Sequence, residues 1–291
     1  MSPDELAARA RRRQEAGDLD GAMSDVTDAL RRDPRHAEAL HVRAHIRRDR
    51  GQYRRAIWDF KRAARRAPGD FRNFYCRAVA RRLRRDWTGA LADLETALRM
   101  CPGSALALCY RGLMRLELGR LEEALADYDQ VLAIDPKNFD AAHNRGVCLE
   151  RRQDLRGAWA AYTQALRLRP DSAHACHSRG NVCRDLGDLA GAAADYGSSL
   201  IRDPANGAVA LKRGQALLAL RRADEAYREF TRAAELDPAC ADAFMGRADV
   251  WRLRGDSAGV RRNLEAALKV ATRRWARRAA AQAELNAYRR W

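Results

Sequence analysis

Small and apolar residues recur along the 291-residue chain with a period of 34 residues. When the chain is divided into frames of 34 residues from Pro3, the eighth residue of every frame is alanine or glycine, and the twentieth is alanine in seven of the eight frames. The twenty-fourth residue is always large and apolar: Val26, Phe60, Leu94, Tyr128, Tyr162, Tyr196, Phe230 and Leu264. Small residues allow helices to approach closely, and large apolar residues fill the space that remains between them. The pattern therefore predicts pairs of helices that stack in a regular array.

Residues that end or begin helices recur with the same period. Proline lacks an amide donor and clashes with the preceding turn, so it is expected to end the second helix of each frame at Pro34, Pro68, Pro102, Pro136, Pro170, Pro204 and Pro238. Glycine stands at the fifteenth place in five frames, where it ends the first helix, and a following aspartate, as in Gly17-Asp18, is expected to cap the second helix. Residues 2–5 have the pattern of a capping box at the start of the first helix.

These positions define the boundaries that we predict for the domains. Residues 1–274 form one array of eight repeats, with bounds 3–36, 37–70, 71–104, 105–138, 139–172, 173–206, 207–240 and 241–274. Residues 275–291 are predicted to form a C-terminal capping helix, in which Trp275, Ala279, Leu285 and Tyr288 cover the exposed end of the stack.

The small columns, the large apolar column and the closing prolines resemble the tetratricopeptide repeat family over roughly residues 3–274. The resemblance implies an all-α fold, a right-handed α-solenoid of eight two-helix repeats whose first helices line a concave groove. It also implies a non-catalytic scaffold that binds other proteins, often an extended peptide or a helix in that groove. The chain departs from the family at the seventh place, which is usually aliphatic and here is arginine in every repeat: Arg9, Arg43, Arg77, Arg111, Arg145, Arg179, Arg213 and Arg247.

Carboxylates on the second helices occur in register with these arginines. The twenty-third residue is acidic in six repeats, at Asp25, Asp59, Asp93, Asp127, Asp195 and Glu229, and the series is broken by Ala161 and Asn263. We predict an ion pair inside each repeat, for example between Arg111 and Asp127, because a charge that recurs in every repeat belongs to the repeat itself. The alternative is a row of arginines that contacts acidic groups of a partner.

The resemblance also implies which side chains face the groove, namely those at the second, fifth, sixth, ninth and twelfth places of each repeat. The candidate partner-binding residues at these places are His41, His45, Arg48, Arg72, Tyr75, Arg82, Tyr110, His143, Asn144, His174, His177, Asn181 and Lys212. Neutral polar side chains suit a peptide backbone, and tyrosine suits apolar anchors. The alternative is that these side chains are solvated and have no dedicated ligand.

The charge distribution suits the partner that we expect, another protein with acidic segments. The formal net charge is +16, with 24 basic and 15 acidic residues in 1–104, 13 and 14 in 105–206, and 18 and 10 in 207–291. Two alternatives stay open: the 51 arginines and 4 lysines reflect composition alone, or the chain binds nucleic acid, which is less favoured because few aromatics accompany the basic tracts. A structural role in a cytoskeletal or ciliary assembly is a third alternative. Trp58, among arginines on the outer face, is a candidate contact, unless it packs against an arginine stem.

Other chemistry is not predicted. We find no nucleophile–histidine–acid pattern and no phosphate-binding loop, so we expect neither an enzyme nor a cofactor. His143, His174, His177 and Cys109 lie on three successive repeats, too far apart to converge on one ion, so we expect no metal. Asn144 alone matches the two-carboxylate clamp of some co-chaperones. Seven cysteines without CxxC spacing fit a reducing compartment such as the cytoplasm, and we predict neither a signal peptide nor a membrane span.

Overall fold

The computed structural model describes residues 1–288, which contain seventeen helices and no strand. The helices are α1 (Pro3–Glu15), α2 (Leu19–Arg32), α3 (Ala37–Asp49), α4 (Tyr53–Arg66), α5 (Phe71–Leu83), α6 (Trp87–Met100), α7 (Ala105–Glu117), α8 (Leu121–Ile134), α9 (Phe139–Arg151), α10 (Leu155–Leu168), α11 (Ala173–Asp185), α12 (Leu189–Arg202), α13 (Gly207–Ala219), α14 (Ala223–Leu236), α15 (Ala241–Leu253), α16 (Ser257–Val270) and α17 (Arg278–Tyr288). The all-α architecture and the two helices in each 34-residue period are confirmed. None of the helices in residues 1–288 combines the length and the apolar character that a membrane span requires.

The helices belong to two compact units, an N-terminal unit (Met1–Cys148) and a C-terminal unit that begins at Leu149, inside α9. In the N-terminal unit, α1 packs on α2, α3 on α4, α5 on α6 and α7 on α8, and the second helix of a pair packs on the first helix of the next pair. The C-terminal unit repeats this arrangement from α10 to α16. Within each unit, a helix between two neighbours therefore buries one face within its own pair and another against the adjacent pair.

The turn inside each repeat uses a left-handed residue at the fifteenth place. Five of these residues are glycines with φ between 71° and 83°, and the other three are Arg85, Gln153 and Arg221, with φ of 59°, 65° and 63°. Only glycine adopts this conformation without steric cost, so three repeats contain a strained turn. The aspartate caps are confirmed: Asp18 and Asp188, for example, accept hydrogen bonds from backbone amides three residues later.

The closing prolines end the second helices as predicted. Helix α2 ends at Arg32, two residues before Pro34, and the intervening Asp33 is extended, with φ of −131° and ψ of 95°. The residue before a proline is disfavoured in the helical region, which explains this geometry. At the N-terminus the capping box is also confirmed, since the Ser2 hydroxyl and the Glu5 carboxylate each accept from the other's backbone amide.

The core consists of the large apolar column packed against the small columns. Tyr128 and Tyr196 are completely buried, and a methyl group placed on Gly112 or Gly180 would lie 2.9 Å from the ring of the tyrosine that each faces. Gly112 and Gly180 therefore make room for the tyrosine rings that they face.

The C-terminal helix begins later than predicted, at Arg278 rather than at residue 275. The chain is extended at Ala271 and then turns, and the Arg278 side chain donates to the Ala271 carbonyl (Nη1–O 2.8 Å) at the end of α16. The later start changes the buried face: Ala281 and Leu285 are buried, whereas Ala279, expected to be buried, is exposed. The predicted covering role of Leu285 is confirmed, and Trp275 and Tyr288 pack against the same cluster. The predicted end of this helix lies outside the described residues.

Candidate functional site

The arginines at the seventh place pair with the carboxylates of their own repeats. Six pairs have N–O distances of 2.5–2.8 Å: Arg9–Asp25, Arg43–Asp59, Arg77–Asp93, Arg111–Asp127, Arg179–Asp195 and Arg213–Glu229. The five aspartates are at most 6% exposed. Hydrogen bonds from Arg9 hold the pKa of Asp25 below its usual value. The predicted ion pair is confirmed, so these six arginines serve the fold.

A second arginine, which the sequence analysis missed, joins four of these pairs. Arg13, Arg47, Arg81 and Arg115 donate to the same aspartates in the N-terminal unit, at 2.5–3.0 Å. The signal was present in the sequence, because these arginines lie four residues after the first ones and so share a helix face. The C-terminal unit has apolar residues at this place, at Leu149, Cys183, Leu217 and Trp251.

The two repeats that lack an acid show what the arginine does without it. Arg145 Nε donates to Asp129 Oδ1 at 2.7 Å, and Arg247 Nη2 donates to the Tyr227 hydroxyl at 3.2 Å. The Arg247 guanidinium also lies 5.2 Å from the Tyr227 ring centroid. In both cases the arginine contacts the second helix of the preceding repeat.

The N-terminal unit has a cavity of about 470 Å³ that contains four of the predicted binding residues. We call it the first cavity, and its lining residues are Arg11, Gln14, Glu15, His41, Val42, His45, Phe71, Arg72, Tyr75, Cys76, Ser104 and Leu106. The predicted residues among them are His41, His45, Arg72 and Tyr75. Arg48, also predicted, is not part of this lining and instead pairs with Asp49 at 2.8 Å.

A second cavity of about 290 Å³ adjoins the first. Its lining residues are Arg82, Leu106, Cys109, Tyr110, Leu113, Asn138, Asp140 and Asn144, of which Arg82, Tyr110 and Asn144 were predicted. Leu106 lines both cavities and is 64% exposed. Tyr75 of the first cavity meets Tyr110 of the second edge to face, with centroids 5.5 Å apart. Together the two cavities form a continuous surface with aromatic, aliphatic and basic side chains.

Leu106 and Cys76 are not among the predicted binding residues, although they occupy the second and sixth places of their repeats. The spacing that identifies the groove therefore includes them. A leucine or a thiol carries no polar signature, which is why they were passed over.

The first cavity contains a polar chain of side chains. His41 Nδ1 lies 2.8 Å from Asn73 Oδ1, and His41 Nε2 lies 3.1 Å from His45 Nε2. Both imidazoles form edge-to-face contacts with the Phe60 ring, with centroids 5.5 and 5.3 Å apart. Burial lowers the pKa of His41, and burial together with His41 lowers the pKa of His45 to about 3. Both histidines are therefore neutral near pH 7.

Predicted binding residues of the C-terminal unit form hydrogen bonds with one another. Lys212 Nζ lies 2.8 Å from His177 Nε2 and 3.0 Å from Asn181 Oδ1, which also accepts from the Tyr196 hydroxyl at 3.0 Å. Burial and the nearby Lys212 lower the pKa of His177 to about 4. His177 and His174 line a hollow of about 180 Å³. In this unit the predicted residues form an internal polar network beside a small hollow.

Two further predicted residues lie outside these cavities. His143 is 6% exposed and stacks on Phe139 with centroids 5.9 Å apart, so it packs in the interior. Trp58 is 54% exposed on α4, and the Arg62 guanidinium lies 4.7 Å from its ring centroid. Trp58 therefore has an arginine contact but remains exposed, and both its packing role and its role toward a partner stay predictions.

Comparison with known proteins identifies the repeat type. A family model described as Tetratricopeptide repeat matches residues 7–71, 41–105 and 144–208, and one described as TPR repeat matches residues 112–153. A comparison with curated proteins finds no match.

Solved structures with the same fold cover most of the chain. The C-terminal part of a TPR repeat-containing protein from Cytophaga hutchinsonii is 14% identical, with a TM-score of 0.69 over 82% of this chain and 97% of that one. The pilF protein of Pseudomonas aeruginosa is 19% identical, with a TM-score of 0.61 over 74% and 97%. YrrB, described as a TPR protein with an unusual peptide-binding site, is 19% identical, with a TM-score of 0.60 over 66% and 97%.

Proposed function

The chain belongs to the tetratricopeptide repeat family, and from that premise we propose that it is a non-catalytic scaffold that binds a peptide segment of another protein. We place the binding surface at the first and second cavities of the N-terminal unit. Proteins of this family mediate protein–protein interaction, and YrrB shows that the fold can accommodate a peptide. The observation that carries the proposal is the pair of adjoining cavities that share the exposed Leu106.

The apolar part of this surface suits an aliphatic or aromatic anchor of the peptide. Leu106 is exposed beside the Tyr75–Tyr110 pair, and an apolar side chain placed there would remove apolar area from water on both partners. Tyrosine is among the residues that contribute most to interface energies, because its ring is large and has few rotatable bonds. We therefore expect the peptide to contain at least one large apolar residue.

The charged part of the surface suits acidic side chains next to that anchor. Arg72 lies in the first cavity, and the Arg82 guanidinium lies 5.6 Å from the Tyr110 ring centroid in the second. Arg72 pairs with Asp70, which has a side chain 22% exposed, and such partly exposed pairs contribute only about 0.2–1 kcal/mol. A carboxylate of the peptide can therefore replace the intramolecular partner at little cost.

A reducing compartment such as the cytoplasm is part of the proposal. Four of the seven cysteines, Cys76, Cys148, Cys176 and Cys183, are buried, where they pack as small apolar side chains. The cytoskeletal or ciliary assembly stays an alternative setting for the same scaffold.

Selection from a random peptide display library on the immobilised full chain tests the function. We expect enriched peptides that combine a large apolar residue with aspartate or glutamate. Tyr110→Ala and Arg72→Ala should each weaken binding of such a peptide at least tenfold in a fluorescence titration. Trp58→Ala tests the candidate contact on the outer face of α4, and the affinity should be unchanged if the two cavities are the binding surface.

Three outcomes would contradict the proposal. Enriched peptides that bind Tyr110→Ala as tightly as the unaltered chain would exclude the two cavities. Loss of binding in Trp58→Ala alone would move the site to the face of α4. Micromolar binding of an RNA pool at near-physiological salt, with no enriched peptide, would favour the nucleic-acid alternative.

A further inference from the structure

Three side chains of the first cavity converge in a way that the proposed function does not use. Nitrogen atoms of His41 and His45 and the sulfur atom of Cys76 all lie within 4.8 Å of one another. We propose that these residues bind a zinc-class divalent metal ion. The proposal does not rest on peptide binding. From the sequence no metal was predicted, but that prediction was based on His143, His174, His177 and Cys109 and not on these three residues.

The helices place the ligands by simple geometry. His41 and His45 are four residues apart on α3, so they lie one turn apart on the same face. Cys76 lies on α5, the first helix of the next repeat, which packs against α3. The three ligands therefore come from two rigid helices, and no loop has to fold over the site.

The distances are close to those that zinc requires. Tetrahedral zinc, with Zn–N about 2.0–2.1 Å and Zn–S about 2.3 Å, separates its ligand atoms by about 3.3–3.6 Å. The two imidazole nitrogens are 3.1 Å apart, and the thiol lies within 4.8 Å of both. A rotation of the Cys76 side chain that shortens its distances by about 1 Å would complete the geometry.

A buried amide orients one of the ligands. Asn73 is 1% exposed, and its Oδ1 accepts from His41 Nδ1 at 2.8 Å. With the proton on Nδ1, the lone pair of His41 Nε2 is directed towards His45. A hydrogen bond to the second imidazole nitrogen is the usual support of a metal-binding histidine.

The chemistry of the three groups selects the metal. Two imidazoles and one thiolate suit zinc or cobalt, whereas magnesium and calcium prefer oxygen ligands. Burial favours neutral imidazole, which is the ligating form. It also raises the pKa of the Cys76 thiol to about 11, and coordination offsets this because a metal-bound thiol loses its proton. The fourth coordination position faces the first cavity, where a water molecule can occupy it.

Cobalt titration of the full chain without an affinity tag tests the site. We expect one equivalent of Co²⁺ to bind, with the visible absorption of tetrahedral cobalt and a near-ultraviolet band from thiolate-to-cobalt charge transfer. One equivalent of Zn²⁺ should abolish both. Cys76→Ser should remove the charge-transfer band, and His45→Ala should weaken Co²⁺ binding at least tenfold. Cys109→Ser, which alters a thiol of the second cavity, should change neither the charge-transfer band nor the affinity for Co²⁺.

Specific results would overturn the proposal. Co²⁺ binding without a charge-transfer band, or with a band that persists in Cys76→Ser, would exclude Cys76 as a ligand. If Cys76→Ser does not fold, X-ray absorption of the zinc-loaded unaltered chain replaces it. One sulfur and two imidazole nitrogens at zinc are expected, and a zinc shell without sulfur would reject the site.

Discussion

At the scale of single residues, buried carboxylates shared by two arginines distinguish the N-terminal unit. Asp127 is 1% exposed and accepts from Arg111 at 2.6 Å and from Arg115 at 2.7 Å. Asp195 of the C-terminal unit accepts from Arg179 at 2.7 Å, and Cys183 occupies the place of the second arginine. Removal of a carboxylate that serves two guanidinium groups takes a buried partner from both of them.

Removal of Asp127 should therefore destabilise the protein more than removal of Asp195. We expect Asp127→Ala to lower the free energy of unfolding by about 3–5 kcal/mol, the range for breaking a buried pair from one side. Urea denaturation followed by circular dichroism measures this change. Asp129→Ala is the control, because that side chain is 58% exposed and its loss should cost less than about 1 kcal/mol. Equal effects of the Asp127 and Asp129 changes would refute the argument.

Acid should destabilise the N-terminal unit through Asp25. Its pKa is lowered in the folded state by hydrogen bonds from Arg9, so its contribution to stability is fully present above the unfolded carboxyl pKa of about 3.9. That contribution is lost as the pH falls through the lower folded pKa. In Asp25→Asn, stability should depend less on pH below about pH 4. Urea denaturation at pH 7 and pH 3 provides the test, with the exposed Asp171→Asn as control. An unchanged pH dependence in Asp25→Asn would contradict the assignment.

The glycine at the eighth place makes a residue-scale prediction about packing. A methyl on Gly180 would lie 2.9 Å from the Tyr196 ring, so Gly180→Ala should lower stability by about 1–3 kcal/mol although alanine is the better helix former. The repeat that has Ala78 has Leu94 opposite it, so Tyr196→Leu should reduce the cost of Gly180→Ala. A double-mutant cycle measures this coupling. A Gly180→Ala protein that is more stable than the parent would exclude the steric explanation.

At the scale of helices and turns, the fifteenth place of each repeat is left-handed whether or not it is glycine. Arg221 holds φ of 63° where Gly187 of the preceding repeat holds 83°. For a residue with a Cβ this conformation costs roughly 1–2 kcal/mol, and a substitution by glycine would remove that cost. Part of the resulting gain in stability would be lost, because glycine gives the unfolded chain more conformational entropy.

Arg221→Gly should consequently stabilise the protein by about 0.5–1 kcal/mol. Gly187→Ala should destabilise it by about 1 kcal/mol through the backbone alone, because nothing lies within 4 Å of the added methyl group. Thermal and urea denaturation of the two variants measure both changes. A loss of stability in Arg221→Gly would show that the Arg221 side chain contributes more than its backbone costs.

The helix boundaries show how much the sequence determines locally. Proline and glycine act on their own turns, so they located the ends of the second helices α2 to α14 and of the first helices α1, α3, α7, α11 and α15. The start of α17 was misplaced because no proline or glycine marks the turn over residues 271–277, next to which Arg278 donates to the Ala271 carbonyl. The left-handed backbone at Arg85, Gln153 and Arg221 was not predicted, because arginine and glutamine do not favour this conformation and only the position in the repeat indicates it.

At the scale of the whole molecule, many of the arginines form ion pairs inside the fold. Each cluster of two arginines and one aspartate keeps one net positive charge while it directs both guanidinium groups at a buried carboxylate. The free basic groups that a partner would meet are therefore fewer than the net charge of +16 suggests. This distribution supports local recognition of acidic side chains over extended contact with a phosphate backbone.

The candidate site was predictable only in part, because the repeat spacing gives the direction of a side chain but not its tertiary contacts. The repeat spacing selects which side chains face a common surface, so His41, His45, Tyr75 and Tyr110 were found. The spacing does not give depth, and His143 proved to be buried. Convergence between helices of neighbouring repeats is a tertiary property that one repeat does not reveal.

Site-specific photo-crosslinking tests the central claim most directly. Benzoylphenylalanine is placed at Leu106, between the two cavities, or at Ile201, which is 75% exposed on α12 and serves as the matched control. A peptide from the display selection should crosslink through position 106 and not through position 201, and an excess of unlabelled peptide should suppress the product. Mass spectrometry should place the adduct at an apolar residue of the peptide close to an aspartate or glutamate. Crosslinking through position 201, or equal yields at both positions, would contradict a binding surface in the N-terminal unit.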